Sequence, residues 1–515
     1  MAEKTNGYID TRAAMESPLS FTQAIIKGLA PGGGLLVPER IPKLSLDEII
    51  SLSELPYHAR AARIFSAFET NLSDDEIAKL MEIVYADNFD DERITPIVEV
   101  EPGKHVMELW HGPTSAFKDM ALQCLPVFFS KAIEVERENG NCSEDFLILV
   151  ATSGDTGKAA LEGFKDRSHT KIMVFYPHGG VSDIQFKQMA TQAGGNVFVL
   201  GGLGDFDDCQ TSVKGTFNDV EFNERLAREH NVKLSSANSI NWGRLLPQIV
   251  YYISAYSQLV ADGALKAGEL LDICVPTGNF GNILAAWYAK AIGTPVGKLI
   301  CASNENRVLT DFIQSGIYDI SERELILTPS PSMDILVSSN LERQLFELTG
   351  RDSSKVRQWM SDLSTKKRFE VDDETRSKMQ ENYLCGYATN AEALTTIREV
   401  YERDGYLLDP HTAVAWNVVE KAGPERPVLI ASTAHWAKFG YDVYRTLNGI
   451  EAGAELPSEV LELTGVQLNE LISEQTGGKS IPANLAMLDS LELRFTGTCE
   501  ASIAGVEGAV ATWLG

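Results

Sequence analysis

The stretch DFLILVATSGDTGKAALEGF, residues 145–164, decides the fold. Phe146 to Ala151 is apolar without alternation, which suits a strand covered on both faces, as strands of parallel sheets are. A glycine turn then leads into a helical pattern through Ala159 and Leu161. The rhythm repeats: Lys171 to Tyr176 precedes a helical pattern from Ile184 to Ala193, and Asn196 to Leu200 closes a βαβαβ unit. Further along, Leu271 to Val275 passes through a second glycine turn into a helix from Ile283 to Ile292, which Gly293 and Pro295 terminate. Pro427 to Ala431 reads as another buried strand. Two separated groups of this kind predict an α/β protein of two facing parallel-sheet domains with a cleft between them.

Outward from these runs, the 515 residues are about three times the usual ~150-residue unit. Residues 1–100 read as a mixed α/β domain. In it a turn at Pro31 to Gly34 leads into Leu35 to Pro38, and Ser73 or Asp74 caps a helix near Ile77. Residues 101–237 read as a smaller α/β domain and 238–515 as a larger one. The larger domain carries a charged, helical insertion at about 303–400 and a helical C-terminus that offers packing, not catalysis.

The formal charge of −27 disfavours nucleic acid and anionic membranes as partners, and obliges any anionic substrate to meet local cations or helix N-termini. The cysteines, at 124, 142, 209, 274, 301, 385 and 499, show neither zinc spacing nor a disulfide framework. With no signal-peptide pattern and no apolar run near ~18 residues, the expectation is a soluble, cytoplasmic protein.

Three turns carry candidate chemistry. In His111-Gly112-Pro113-Thr114-Ser115-Ala116-Phe117-Lys118-Asp119 a lysine precedes an apolar helix. Burial lowers an amine's pKa by up to ~3–5 units and makes it a Schiff-base nucleophile, although the segment alone favours an ordinary surface lysine. Gly278-Asn279-Phe280-Gly281-Asn282, between a buried strand and a helix, outlines a phosphate cup, with a plain βα turn as the equal alternative. Ser153-Gly154-Asp155-Thr156, another strand-to-helix turn, has donors for a carboxylate and equally well reads as a capped helix start.

Taken in order, HGPTSAFKD, SGDTG and GNFGN resemble the threonine synthases, which are fold-type II pyridoxal-phosphate enzymes of tryptophan synthase β-like architecture. Ser239 to Arg244, Pro331 to Asp334, Asp409 to Ala415, and Ser432 to His435 followed by Lys438 add to a similarity that spans nearly the whole chain. The resemblance implies pyridoxal 5'-phosphate as cofactor, Lys118 as the lysine that bears it and shuttles protons, and Gly278, Asn279, Phe280, Gly281 and Asn282 around its phosphate. It sets Thr433 at the ring nitrogen, which a neutral hydroxyl should leave less protonated than a carboxylate would. Ser153, Gly154, Asp155 and Thr156 would receive the amino-acid end of the substrate, with Asp155 awkwardly close to the cofactor's phenolic oxygen if both are ionised.

The implied reaction converts O-phospho-L-homoserine and water to L-threonine and phosphate, by proton loss, departure of phosphate from Cγ and addition of water at Cβ. Arg244, Lys158 and Lys438 are the candidate cations for the substrate, Arg244 being preferred for its bidentate geometry. His111, His411 and His435 read as structural, and no metal is expected. The rivals are a threonine-synthase-like phospho-lyase that releases 2-oxobutanoate and a relative that binds the cofactor without turnover. No GxGxxG follows a strand, which disfavours a dinucleotide enzyme. A monomer is expected, a dimer being the alternative.

Overall fold

The computed structural model describes residues 7–515. The apolar runs are strands: Asp145–Ala151, Thr170–Pro177 and Val197–Leu203 lie side by side, all parallel. Val232–Ser235 completes one edge and Thr498–Glu500 the other, making a five-stranded sheet. The larger sheet runs in the order Tyr383–Tyr387, Val296–Ser303, Leu271–Pro276, Val428–Ser432, Lys104–Glu108, Ile97–Glu101. Only its last pair is antiparallel. Every residue of Leu271–Pro276 is buried, as a central strand under two helix layers must be. The architecture is the expected α/β arrangement of two parallel sheets.

The two sheets interleave along the chain. Lys104–Glu108 precedes the whole small sheet in sequence, yet it pairs with Val428–Ser432 in the large one. That register delivers the next segment to its place, because Leu109 N–H donates to Ser432 O at 3.0 Å and Phe117 N–H to Thr433 O at 2.8 Å. Thr498–Glu500 and the helix Ile503–Leu514 return to the small sheet, where the helix packs on Phe206–Asn218. A helical C-terminus was expected, but as part of the larger domain; the edge strand was not, since three exposed or half-exposed residues leave no apolar run to read.

Near the N-terminus Tyr8–Asp10 pairs antiparallel with Leu36–Pro38, and Ser73 caps Asp74–Tyr85 in a reciprocal capping box with Glu76. Residues 303–400 are largely helical, but Tyr383–Tyr387 joins the large sheet as its edge strand. Trp242–Ala261 is buried along almost its entire length and contacts both Gly281–Ile292 and the short helix Lys118–Leu122. Among the described residues no helix is long and apolar enough to cross a membrane.

Lys118–Leu122 is seated by one close approach. A Cβ at Gly163, in helix Asp155–Phe164, would lie 1.7 Å from the carbonyl oxygen of Leu122. Gly163→Ala must therefore push the lysine-bearing helix outward, and urea denaturation should show a loss of about 1–3 kcal/mol or more.

Candidate functional site

Lys118 begins its helix after a loop held on both sides. Ala116 bridges Ala434, His435 N–H donates to Ser115 O at 3.2 Å, and Ser115 takes a φ of 57°. Asp119, fully buried, accepts from Thr114 N–H at 2.8 Å and Thr114 Oγ1 at 2.7 Å. Burial pushes the Asp119 carboxyl up to about 6. Asn484 donates to Pro113 O at 2.7 Å, so the C-terminal region does more than pack: it pins the lysine loop.

The Lys118 amine donates to Ser332 Oγ at 3.0 Å and lies 3.9 Å from Asp155 Oδ2. Burial lowers its pKa to about 8; Asp155 works against the shift, and Lys438 and Arg244 add to it. Lys118 is thus largely enclosed, not the ordinary surface lysine that the segment alone favours. Asp155 opens its helix, where Lys438 Nζ meets Oδ1 at 2.9 Å and Gln185 Nε2 donates to the same oxygen at 3.1 Å. Burial raises its proton affinity, but Lys438 and then Lys118 outweigh this and hold the carboxyl well below the usual range. The counter-ion of Asp155 is thus a lysine supplied from the other sheet.

The Ser153 turn is only partly open to a ligand. Thr152 Oγ1 accepts from Gly154 N–H at 3.0 Å and Gly157 N–H at 2.9 Å, which occupies two of its donors. Gly154 takes φ 141°, and a Cβ there would lie 2.4 Å from Gln185 Nε2. Ser153, Gln185 and Lys438 line an open cleft of about 730 Å³, which Leu325, Leu327 and Pro331 also line. Thr156 follows Asp155 in the first turn of the helix.

The Gly278 turn meets the lysine at Ser332. A Cβ at Gly278 would lie 2.5 Å from Ser332 O, so only glycine admits this approach. Phe280 takes the left-handed conformation, and no side chain caps the helix Gly281–Ile292 that follows. Asn279 O accepts from Asn340 N–H and Nδ2, at 3.0 and 3.1 Å. Asn282 Oδ1 accepts from Tyr251 and Tyr252, while its Nδ2 is buried without a partner among the described residues. An uncapped helix start, a glycine cradle and a spare buried amide donor suit a phosphate-bearing group.

Of the expected cations, Arg244 is buried, its Nε has no partner among the described residues, and one nitrogen donates to Ala237 O at 2.8 Å. Burial lowers its pKa to about 10. Lys158 instead donates to Glu162 at 3.1 Å and to Gln192 at 2.5 Å, because the i,i+4 spacing stacks the glutamate beside it. Lys438 is held by Asp155 and Thr114 O. Thr433 is buried beside the lysine loop.

Ser332, Gln185, Asp119 and Asn484 were assigned no role from the sequence. Ser332 and Asp119 lie in quoted motifs, whereas Gln185 and Asn484 carry no local signal. His111 bridges Asp90 at 2.5 Å and Glu108 at 2.9 Å, and His435 is driven down to about 3 by burial. Among the described residues no group of three or more His, Cys, Asp or Glu side chains is placed to hold a metal ion.

Two parallel sheets with a buried lysine and a glycine turn between them constitute the fold-type II pyridoxal-phosphate architecture. Residues 7–85 match the family described as the threonine synthase N terminus. The chain is 37% identical to threonine synthase of Pseudomonas aeruginosa, over 88% of this chain and 93% of that one. The PLP-bound threonine synthase of Brucella melitensis superposes with a TM-score of 0.84 at 35% identity, covering 98% and 99% of the two chains. Human threonine synthase-like 1 is 42% identical over 88% of this chain, which spans 62% of that longer protein. The chain belongs to the threonine synthase family, whose cofactor is pyridoxal phosphate.

Gly278→Ala should weaken pyridoxal-phosphate binding about tenfold or more, read by absorbance titration, because the new methyl displaces the turn from Ser332. A second expectation concerns pH. Burial lowers the His111 pKa, but hydrogen bonds to Asp90 and Glu108 outweigh it and raise the value from 6.5 to about 9. The stabilisation is therefore complete below the unfolded value and is lost as pH rises towards the folded one. Relative to His111→Asn, the wild type should lose on the order of 2 kcal/mol in urea denaturation between about pH 6 and about pH 9.5.

Proposed function

We propose that this chain is a threonine synthase, converting O-phospho-L-homoserine and water to L-threonine and phosphate. The observation that carries the reading is the buried Lys118 amine, lowered to about 8 and held between Ser332 and Asp155. Lys118 would bear the cofactor, with the Gly278 to Asn282 turn around its phosphate and Thr433 at its ring nitrogen. Bound there, pyridoxal phosphate supplies the electron sink for proton loss beside the substrate amine.

The chain's own groups supply the rest. An amine with a pKa near 8 exchanges protons readily near neutral pH, which lets Lys118 Nζ collect and return the protons of the substrate carbons. Arg244, a buried guanidinium with a spare nitrogen, is the proposed anchor for the substrate phosphate. Asp155, kept ionised by Lys438, orients the lysine and does not take a proton from it. Ser153 and Thr156 would receive the substrate's carboxylate, and Lys158, paired with Glu162, would stabilise the helix that carries Thr156.

Incubation with O-phospho-L-homoserine should release phosphate and L-threonine in equal amounts, measured by phosphate assay and amino-acid chromatography. 2-Oxobutanoate as the sole organic product would replace this reading with the phospho-lyase. A protein without a cofactor absorption band would refute both.

A further inference from the structure

We infer that Asp409, His411 and Ser332 are positioning residues, joined in one chain of hydrogen bonds that holds the Lys118 amine away from Asp155. The inference rests on the reading of Lys118 as the cofactor-bearing lysine. Asp409 caps helix Pro410–Ala422, accepting on Oδ1 from His411 N–H and from His411 Nδ1, both at 2.9 Å. Its other oxygen accepts from Thr412 N–H at 3.3 Å and from the Thr412 hydroxyl. His411 Nε2 receives the backbone N–H of Ser332 at 3.2 Å.

That last bond decides the tautomer. A backbone N–H can only donate, so Nε2 must be the bare nitrogen and Nδ1 carries the proton given to Asp409. Both side chains are buried, with exposures of 0% for Asp409 and 2% for His411, so each broken link would leave a polar atom without water. The chain ends in the turn Pro331–Met333, whose other side Asp334 fastens by accepting from Thr328 N–H at 3.0 Å.

Held in this way, the Ser332 hydroxyl sits between two opposite charges. It accepts from Lys118 at 3.0 Å and donates to Asp155 Oδ2 at 3.4 Å, while the amine and the carboxylate stand 3.9 Å apart. Without the spacer, the amine would close on Asp155 into a tighter buried ion pair, which favours its protonated form. The other charged groups facing Lys118 are Lys438, Arg244 and Asp119, and those facing His411 are Asp409, Asp155 and Asp334. None of these can take the place of a neutral group between the amine and Asp155.

The test reads the free amine directly. In full-length apoprotein, the rate of pyridoxal-phosphate uptake against pH follows the neutral fraction of Lys118. Ser332→Ala should move the midpoint up by about one unit and lower kcat about tenfold near neutral pH, with KM changed less than about twofold. His411→Leu should reproduce the shift, His411→Gln, which retains an acceptor, should move it less than half as far, and the double variant should not exceed Ser332→Ala alone. If His411→Leu does not fold, Ser332→Ala, which removes a single oxygen atom, decides the matter. An unchanged or lowered midpoint in Ser332→Ala overturns the inference. A cofactor band that survives Lys118→Ala overturns the earlier reading instead, so the two failures are distinguishable.

Discussion

The site depends on one buried ion pair, Asp155 with Lys438 at 2.9 Å. Each partner comes from a different sheet: Asp155 follows the inner strand Asp145–Ala151 of the small one, and Lys438 the strand Val428–Ser432 of the large one. Such a pair returns little net stability after desolvation, but removing either partner strands a charge and typically costs about 3–5 kcal/mol. Its value here is placement. It ties the two sheets together where the lysine enters, and it leaves Asp155 an anion with its charge already matched, so that Lys118 is not drawn into a full salt bridge and keeps a lowered pKa.

Around that contact the chain satisfies two requirements in the same few residues. The lysine must be buried, and a phosphate-bearing cofactor must come close to the backbone. Ser332 serves both, with its hydroxyl on Lys118 and its carbonyl against Gly278. Residues far from the site hold the pieces still. Arg343, fully buried, donates to Asn340 Oδ1 at 2.6 Å and to the carbonyls of Leu36 and Ile240. Asn340 in turn supports Asn279, so the N-terminal region is connected to the glycine turn by direct hydrogen bonds.

Much of the fold was legible because central parallel strands need continuous apolar runs, and Phe146–Ala151 and Leu271–Val275 have no other reading as good. Helix starts such as Ser73 were legible because capping is local. The edge strands Tyr383–Tyr387 and Thr498–Glu500 were not, since an edge is half exposed and its pairing partner lies far away in sequence. Lys158 shows the opposite failure: it stands in a motif, but a glutamate one helical turn on claims it.

The sequence by itself determined the class of fold, the order of the three turns and the family, since these depend on residue types and short spacings. The tertiary structure alone decided that Lys118 is largely enclosed, that Asp155 has its counter-ion in Lys438, and that Ser332 separates the amine from the carboxylate. The physical reason is range. Hydrophobic patterning and capping act over a few residues, whereas the charge state of a buried amine depends on every group within several ångströms. In this chain those groups come from residues as far apart as 118, 155, 332, 411 and 438.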